Sequence, residues 1–230
     1  QFSTIVSAVR QGRIIFANIR KSVIFMLCTN LAEILVVTLA SLAQAPIPLR
    51  PLQILFLNVL TDVFPALALG VGAGSGDVMN RPPRDPRESV LTRHHWSAIG
   101  GWSVVIGVCV LGALALALMW LGFDEMKAIT VSFLTLGFAK LWFVLNLRDR
   151  GSPVWNNDIV RNRWIWVSLV LCVGLLVLAV YWPPLSSILQ TERPSLNGWL
   201  LILGVSLIPA LLGTFVPGIR FYSSMRDEKP

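Results

Sequence analysis

Six apolar stretches, each near twenty residues, dominate the 230-residue sequence and constrain every fold open to it. They run over about 22–43, 52–71, 96–121, 128–147, 164–182 and 198–217. A segment of that length and apolarity can cross the hydrocarbon core of a bilayer as a helix. Inside lipid every backbone N–H and C=O must be satisfied within the protein, which leaves helices or closed barrels. Uninterrupted apolar runs exclude the alternating pattern of a barrel strand. The sequence therefore predicts an all-α membrane protein with six spanning helices. A mean hydropathy of +0.70 and 13% charged residues exclude an ordinary soluble domain.

The net charge of +7 is topological. Four basic residues (Arg10, Arg13, Arg20, Lys21) precede the first span, four (Arg81, Arg84, Arg87, Arg93) separate the second and third, and four (Arg148, Arg150, Arg161, Arg163) separate the fourth and fifth. Three more, Arg220, Arg226 and Lys229, follow the sixth. The opposite side holds Arg50, Lys127 and Arg193. The positive-inside rule then places both termini in the cytoplasm, in a plasma or inner membrane, with no nucleic-acid partner. The first residue is Gln, and a longer parent protein is expected. Cys28, Cys109 and Cys172 fall inside spans and are expected to act as small apolar residues.

Residues 2–43 hold no proline and one glycine, Gly12. A continuous helix of about forty residues would be about 60 Å long, twice the hydrocarbon thickness. Its first half, residues 1–21, is expected to project as a cytoplasmic stalk; a short amphipathic helix followed by a separate span is the alternative. Residues 22–217 form the six-helix transport domain, and 218–230 a cytoplasmic tail. Trp96, Trp102, Trp120, Trp164, Trp166, Trp182 and Trp199 lie near predicted span ends, as an aromatic belt requires, and His94 and His95 are expected at the interface. The glycines of GVGAGSGD are not a nucleotide cradle, because no strand precedes them and no Gly-Lys-Ser/Thr follows.

Charges inside the membrane carry the functional signal. Asp62 is the only charge in 52–71, and Asn58, Thr61 and Asp62 fall on one helical face. Pro65 has no N–H, so the Thr61 carbonyl is expected to be free as a further oxygen. Glu33 lies at the middle of the first span, with Asn30 one turn earlier. The short link AQAPIPLRP makes these helices antiparallel neighbours and brings both acids to one depth. Asn30, Glu33, Asn58, Thr61 and Asp62 form an oxygen-rich cluster suited to a hard cation. Polar helix-to-helix bonding is the bland alternative for the amides and the hydroxyl. Lys140, in the fourth span, lies about 12 Å below Arg148 at 1.5 Å per residue. It can snorkel to the surface or present a tethered counter-charge to the acids.

Several stretches resemble P-type ATPases. QFSTIVSAVRQGRIIFANIRKSVIF resembles the stalk entering the fifth membrane helix, and TNLAE the Asn-x-x-Glu of that helix in calcium pumps. LFLNVLTDVFPALALG resembles the sixth helix with its Asn-x-x-Thr-Asp, and DVMNRPPRDPRE the loop that follows. The resemblance covers essentially the whole chain and implies membrane helices five to ten of a cation pump. It makes Asn30, Glu33, Asn58, Thr61 and Asp62 ion ligands, with Ca²⁺ the expected ion and Mn²⁺, Na⁺ and H⁺ left open. Asn58 is similar to calcium pumps, since sodium–potassium pumps have aspartate there. At the glutamate of the family's eighth helix this sequence has Lys140, which implies that an ammonium replaces one of two ions. The partners implied are the lipid bilayer and the rest of the pump: its first four membrane helices and the actuator, nucleotide and phosphorylation domains that use ATP and Mg²⁺. No catalytic residue and no Asp-Lys-Thr-Gly-Thr motif lies within these 230 residues. A standalone six-helix channel or scaffold is the competing reading.

Overall fold

The computed structural model describes residues 2–74, 78–80, 89–148 and 157–215. The chain begins with one unbroken helix, α1 (Phe2–Leu42), followed by α2 (Pro51–Leu57), a five-residue π-turn (Asn58–Asp62) and α3 (Val63–Gly70). Then come α4 (Arg93–Met119), α5 (Glu125–Phe143) with a 3-10 extension (Val144–Leu147), α6 (Arg163–Tyr181), α7 (Pro183–Leu189) and α8 (Leu196–Phe215). No strand occurs among the described residues. Six helical units are long and apolar enough to cross a membrane, with α2, the π-turn and α3 making the second. The protein is a multi-pass membrane protein, with span ends within a few residues of those predicted.

With no proline before residue 46, nothing interrupts the backbone ladder of α1. Residues 2–12 are all exposed, and burial starts at Ile14. The first turns thus stand clear of the bundle, and the alternative of two separate helices is excluded. The tail 218–230 and the arginines Arg81, Arg84, Arg87, Arg150, Arg220 and Arg226 lie outside the described residues.

Helix α5 is the axis of the bundle. Every residue from Ala128 to Leu141 is buried, and the helix packs against α8 and α4 and touches α1, α6 and the π-turn. A helix enclosed on all sides needs no amphipathic stripe, and α5 has none: its apolar residues are spread around the whole circumference, with Lys140 the one charge among the buried residues. Gly137 permits the closest approach: a Cβ there would stand 3.0 Å from Leu176 of α6 and 3.1 Å from Leu57 of α2. At Gly74 a positive φ of 72° and a close approach to the Ile14 side chain both demand glycine, which docks the chain after α3 onto α1.

One expectation is corrected. Trp102 is not in the aromatic belt: it is 1% exposed, with its ring 5.4 Å from that of Phe143 in the core. Its position six residues after Trp96 turns it inward between α1 and α5, whereas Trp96, Trp120, Trp164, Trp166 and Trp182 are exposed. His95, at the start of the same span, is covered by protein: its Nδ1 accepts from the Thr92 backbone N–H at 3.1 Å and caps the start of α4.

Replacing Gly137 with valine places methyl groups where Leu176 and Leu57 already stand. Overpacking of this kind costs about 1–3 kcal/mol. Thermal unfolding of the detergent-solubilised protein should show a lower midpoint for Gly137→Val, with Gly137→Ala between it and the unmodified protein; equal midpoints would contradict the packing described.

Candidate functional site

The site forms where α1, the π-turn and α5 meet at mid-bundle. Lys140 is completely buried, and its ammonium does not snorkel. Its Nζ donates to Glu33 Oε2 at 2.8 Å, to Asn58 Oδ1 at 3.1 Å and to Asp62 Oδ1 at 3.3 Å. An ammonium has three N–H donors, and all three are used. Glu33 is 5% and Asp62 2% exposed, so three charges share one water-poor space. An isolated charge could not be held there, but an opposed and hydrogen-bonded set can. With both acids ionised and the lysine protonated, the cluster keeps one uncompensated negative charge.

That charge has an address. Asp62 Oδ2 is buried with no hydrogen-bond partner, and so is Asn30 Oδ1 on the preceding turn from Glu33. Two bare oxygens next to an excess negative charge are poorly matched to apolar surroundings and well matched to a cation. Thr61 turns its hydroxyl to the Leu57 carbonyl at 2.8 Å, leaving the oxygen's lone pairs available. Among the described residues no group of three His, Cys, Asp or Glu side chains is gathered. The donor set is therefore carboxylate and amide oxygen, which suits hard ions rather than zinc-type metals.

The sequence predicts one helical face of oxygens over 52–71, interrupted only by the proline at 65. The structure inserts the π-turn instead, so the helix is locally widened over Asn58–Asp62. Such bulges concentrate at functional sites. Leu60, at the centre of the turn, directs its carbonyl at the Cys172 thiol of α6, 3.3 Å away. Sequence reasoning also missed Thr29, whose hydroxyl lies 3.0 Å from the Phe25 carbonyl and 3.4 Å from Asp62 Oδ1. Its position one turn before Glu33 was the available signal.

The open end of α3 is closed by side chains from two other helices. A helix leaves its last carbonyls without N–H partners. Ser22 donates to Ala66 O at 2.9 Å, Asn162 to Ala68 O at 2.7 Å, and Asn18 to Gly70 O and Gly72 O at 3.2 and 2.7 Å. Asn162 also caps α6, accepting from the Trp164 N–H at 3.0 Å. A buried ion pair between Lys21 and Asp158 joins α1 to the segment before α6 at this end. The helix carrying Asp62 is thus tied to α1 both at the acid cluster and at its end.

The model of the family described as the C-terminus of cation transporting ATPases matches residues 46–218. The chain belongs to this family. It is 37% identical over 216 residues to a calcium-transporting ATPase of Bacillus subtilis, covering 92% of the chain and 24% of that protein. It is 35% identical to calcium-transporting ATPase 1 of Bacillus cereus, covering 94% of the chain and 26% of the relative. For the human calcium-transporting ATPase type 2C member 1 the identity is 31%, with coverages of 89% and 22%. The chain spans about a quarter of the length of these relatives. Site and family meet in the same segments, since Asn58, Thr61, Asp62 and Lys140 fall inside the matched residues and Asn30 and Glu33 just before them.

The charge set should behave as one unit. Lys140→Met alone leaves two carboxylates facing each other without a counter-charge, a loss of about 3–5 kcal/mol for a broken buried pair. Glu33→Gln combined with Lys140→Met should cost clearly less than the two single losses added. Chemical unfolding of all three variants in detergent measures this, and additive losses would show that the ammonium and carboxylate are not coupled.

Proposed function

We propose that this chain is the ion-translocating membrane portion of an ATP-driven P-type pump that carries Ca²⁺. Asn30, Glu33, Asn58, Thr61 and Asp62 supply the ligands, and Lys140 is a tethered counter-charge standing where another cation would bridge the acids. The observation that carries the reading is the pair of buried, unpartnered oxygens, Asn30 Oδ1 and Asp62 Oδ2, beside an ammonium already saturated by Glu33, Asn58 and Asp62. Family membership and the calcium-transporting names of the relatives support the ion class.

Charge arithmetic sets the stoichiometry. A calcium ion brings two positive charges to a cluster that holds one net negative charge, so a second calcium beside Lys140 would meet an excess of positive charge at low dielectric. One ion per cycle follows. The remainder of the pump supplies what these residues lack: the first four membrane helices complete the ion site, and the actuator, nucleotide and phosphorylation domains consume ATP with Mg²⁺. Residues 1–21 act as the cytoplasmic stalk toward those domains, 22–217 as the transport domain and 218–230 as a cytoplasmic tail. Both termini face the cytoplasm of a plasma or inner membrane. The long exposed start of α1 and the clustering of Arg10, Arg13, Arg20 and Lys21 there support this orientation.

The full-length pump tests the proposal. The unmodified protein should bind one Ca²⁺ per phosphoenzyme formed from ATP, measured with radioactive calcium in parallel with acid-stable phosphate. Asp62→Asn should weaken calcium activation by at least tenfold, the loss of one charged ligand. Lys140→Glu should raise the calcium stoichiometry toward two. Two ions bound by the unmodified pump would refute the counter-charge, and activation by Na⁺ or Mn²⁺ alone would refute the ion.

A further inference from the structure

Cys172 is completely buried on α6, and the ion chemistry proposed above does not use it. Its surroundings nonetheless connect it to the ligands. Sγ lies 3.3 Å from the carbonyl oxygen of Leu60, the middle residue of the π-turn, two positions from Asn58 and two from Asp62. A thiol is a weak donor, and a buried carbonyl is an obligatory acceptor.

Proline leaves this part of the helix short of a backbone donor. In an α-helical register a carbonyl pairs with the N–H four residues on, and in a π register with the one five residues on. Five residues after Leu60 stands Pro65, which has no N–H. Pro65 also removes the ordinary partner of the Thr61 carbonyl, so the stretch after the π-turn has one backbone donor fewer for the carbonyls of Leu60 and Thr61. The S–H of Cys172 reaches it from another helix. Helix α6 packs closely one turn later, where a Cβ at Gly137 of α5 would stand only 3.0 Å from the Leu176 side chain.

We propose that Cys172 is a positioning residue for the ion site: its thiol donates to Leu60 O, keeps the turn in the π register, and so sets Asn58 and Asp62 against Lys140 and Glu33. The inference rests on the reading of those residues as cation ligands. Cys172 touches no ligand directly and acts through the backbone. Without the donor the turn relaxes toward the α register, which rotates Asn58 relative to Asp62 and spoils the site without removing any of its oxygens.

The test uses the full-length pump with Cys172→Ser, Cys172→Val and Cys172→Ala, and reads the Ca²⁺ dependence of phosphoenzyme formation separately from its maximal level. Serine keeps a donor, whereas valine fills the space without one. The expected order is serine close to the unmodified pump, with valine and alanine both about fivefold weaker in apparent calcium affinity, the scale of one hydrogen bond, at unchanged maximal level. Valine matching the unmodified pump while serine falls with alanine would mean packing alone and overturn the proposal, as would equal affinities in all four. A second readout does not depend on transport. The S–H stretching band of Cys172, isolated as the infrared difference between the unmodified and Cys172→Ala proteins, should lie at the lowered frequency of a hydrogen-bonded thiol, and a free-thiol frequency overturns the proposal. If the unmodified protein forms no cation-dependent phosphoenzyme, the pump reading fails instead, and the infrared band still decides whether the thiol holds the turn.

Discussion

The bundle is arranged around one ammonium group. Lys140 lies in the most enclosed helix, out of reach of water, and each of its three donors ends on an oxygen from a different position: Glu33 on α1, Asn58 and Asp62 on the π-turn. None of these charges could be held alone at that depth. Glu33 and Asp62 would repel each other, and Lys140 would be unsolvated. Together they fix where α1, the π-turn and α5 cross, and the small Gly137 one turn away lets the helices close to that distance.

The same arrangement makes the site specific in charge. With both acids ionised and Lys140 protonated, a single net negative charge remains, and the oxygens without donors, on Asn30 and Asp62, stand beside it. On the proposed reading, a cation bound there completes a set that hydrogen bonding inside the protein leaves unfinished. Carboxylate and amide oxygens favour hard ions, while the fixed ammonium limits how much positive charge can be added. On the proposed reading, selectivity and stoichiometry have separate origins, one in ligand type and the other in a lysine held by three acceptors.

Position is conferred by connections that are individually modest. Asn18, Ser22 and Asn162 take up the carbonyls at the end of α3, and Asn162 starts α6 with its other atom. The Leu60 carbonyl is met by Cys172, and Gln53 of α2 donates to Leu189 O at the end of α7 at 3.0 Å. On the opposite side, Asn146 donates to the carbonyl of Pro209 in α8 at 2.9 Å and packs so closely on Gly213 that a Cβ there would overlap its carboxamide. In a membrane these polar contacts take the place of the hydrophobic drive that orders soluble bundles. The helix bearing Asp62 is thereby linked to the long α1 at two levels, so a displacement of one is felt by the other.

Much of this was legible beforehand. Hydropathy alone determined six spans, because a backbone in lipid has few solutions, and the absence of proline from residues 2–43 allowed one long first helix that the structure then distinguished from two. Acids in mid-span marked Glu33 and Asp62, since a charge is too costly there to be incidental, and the short link between their helices implied one depth. What the one-dimensional pattern left open depended on rotation and register. Whether Lys140 turned inward or snorkelled depended on which face α5 gave to α1, and an apolar helix carries no stripe to reveal it. The π-turn was hidden because no residue pattern marks it, and with it the pairing of Leu60 with Cys172. Trp102 and His95 went to the interior for the same reason: position along a helix gives depth, while only neighbours decide which side is buried. The sequence by itself determined the span count and the cost of the buried charges; the tertiary structure decided which of those charges meet, because contact between helices depends on rotation about their axes.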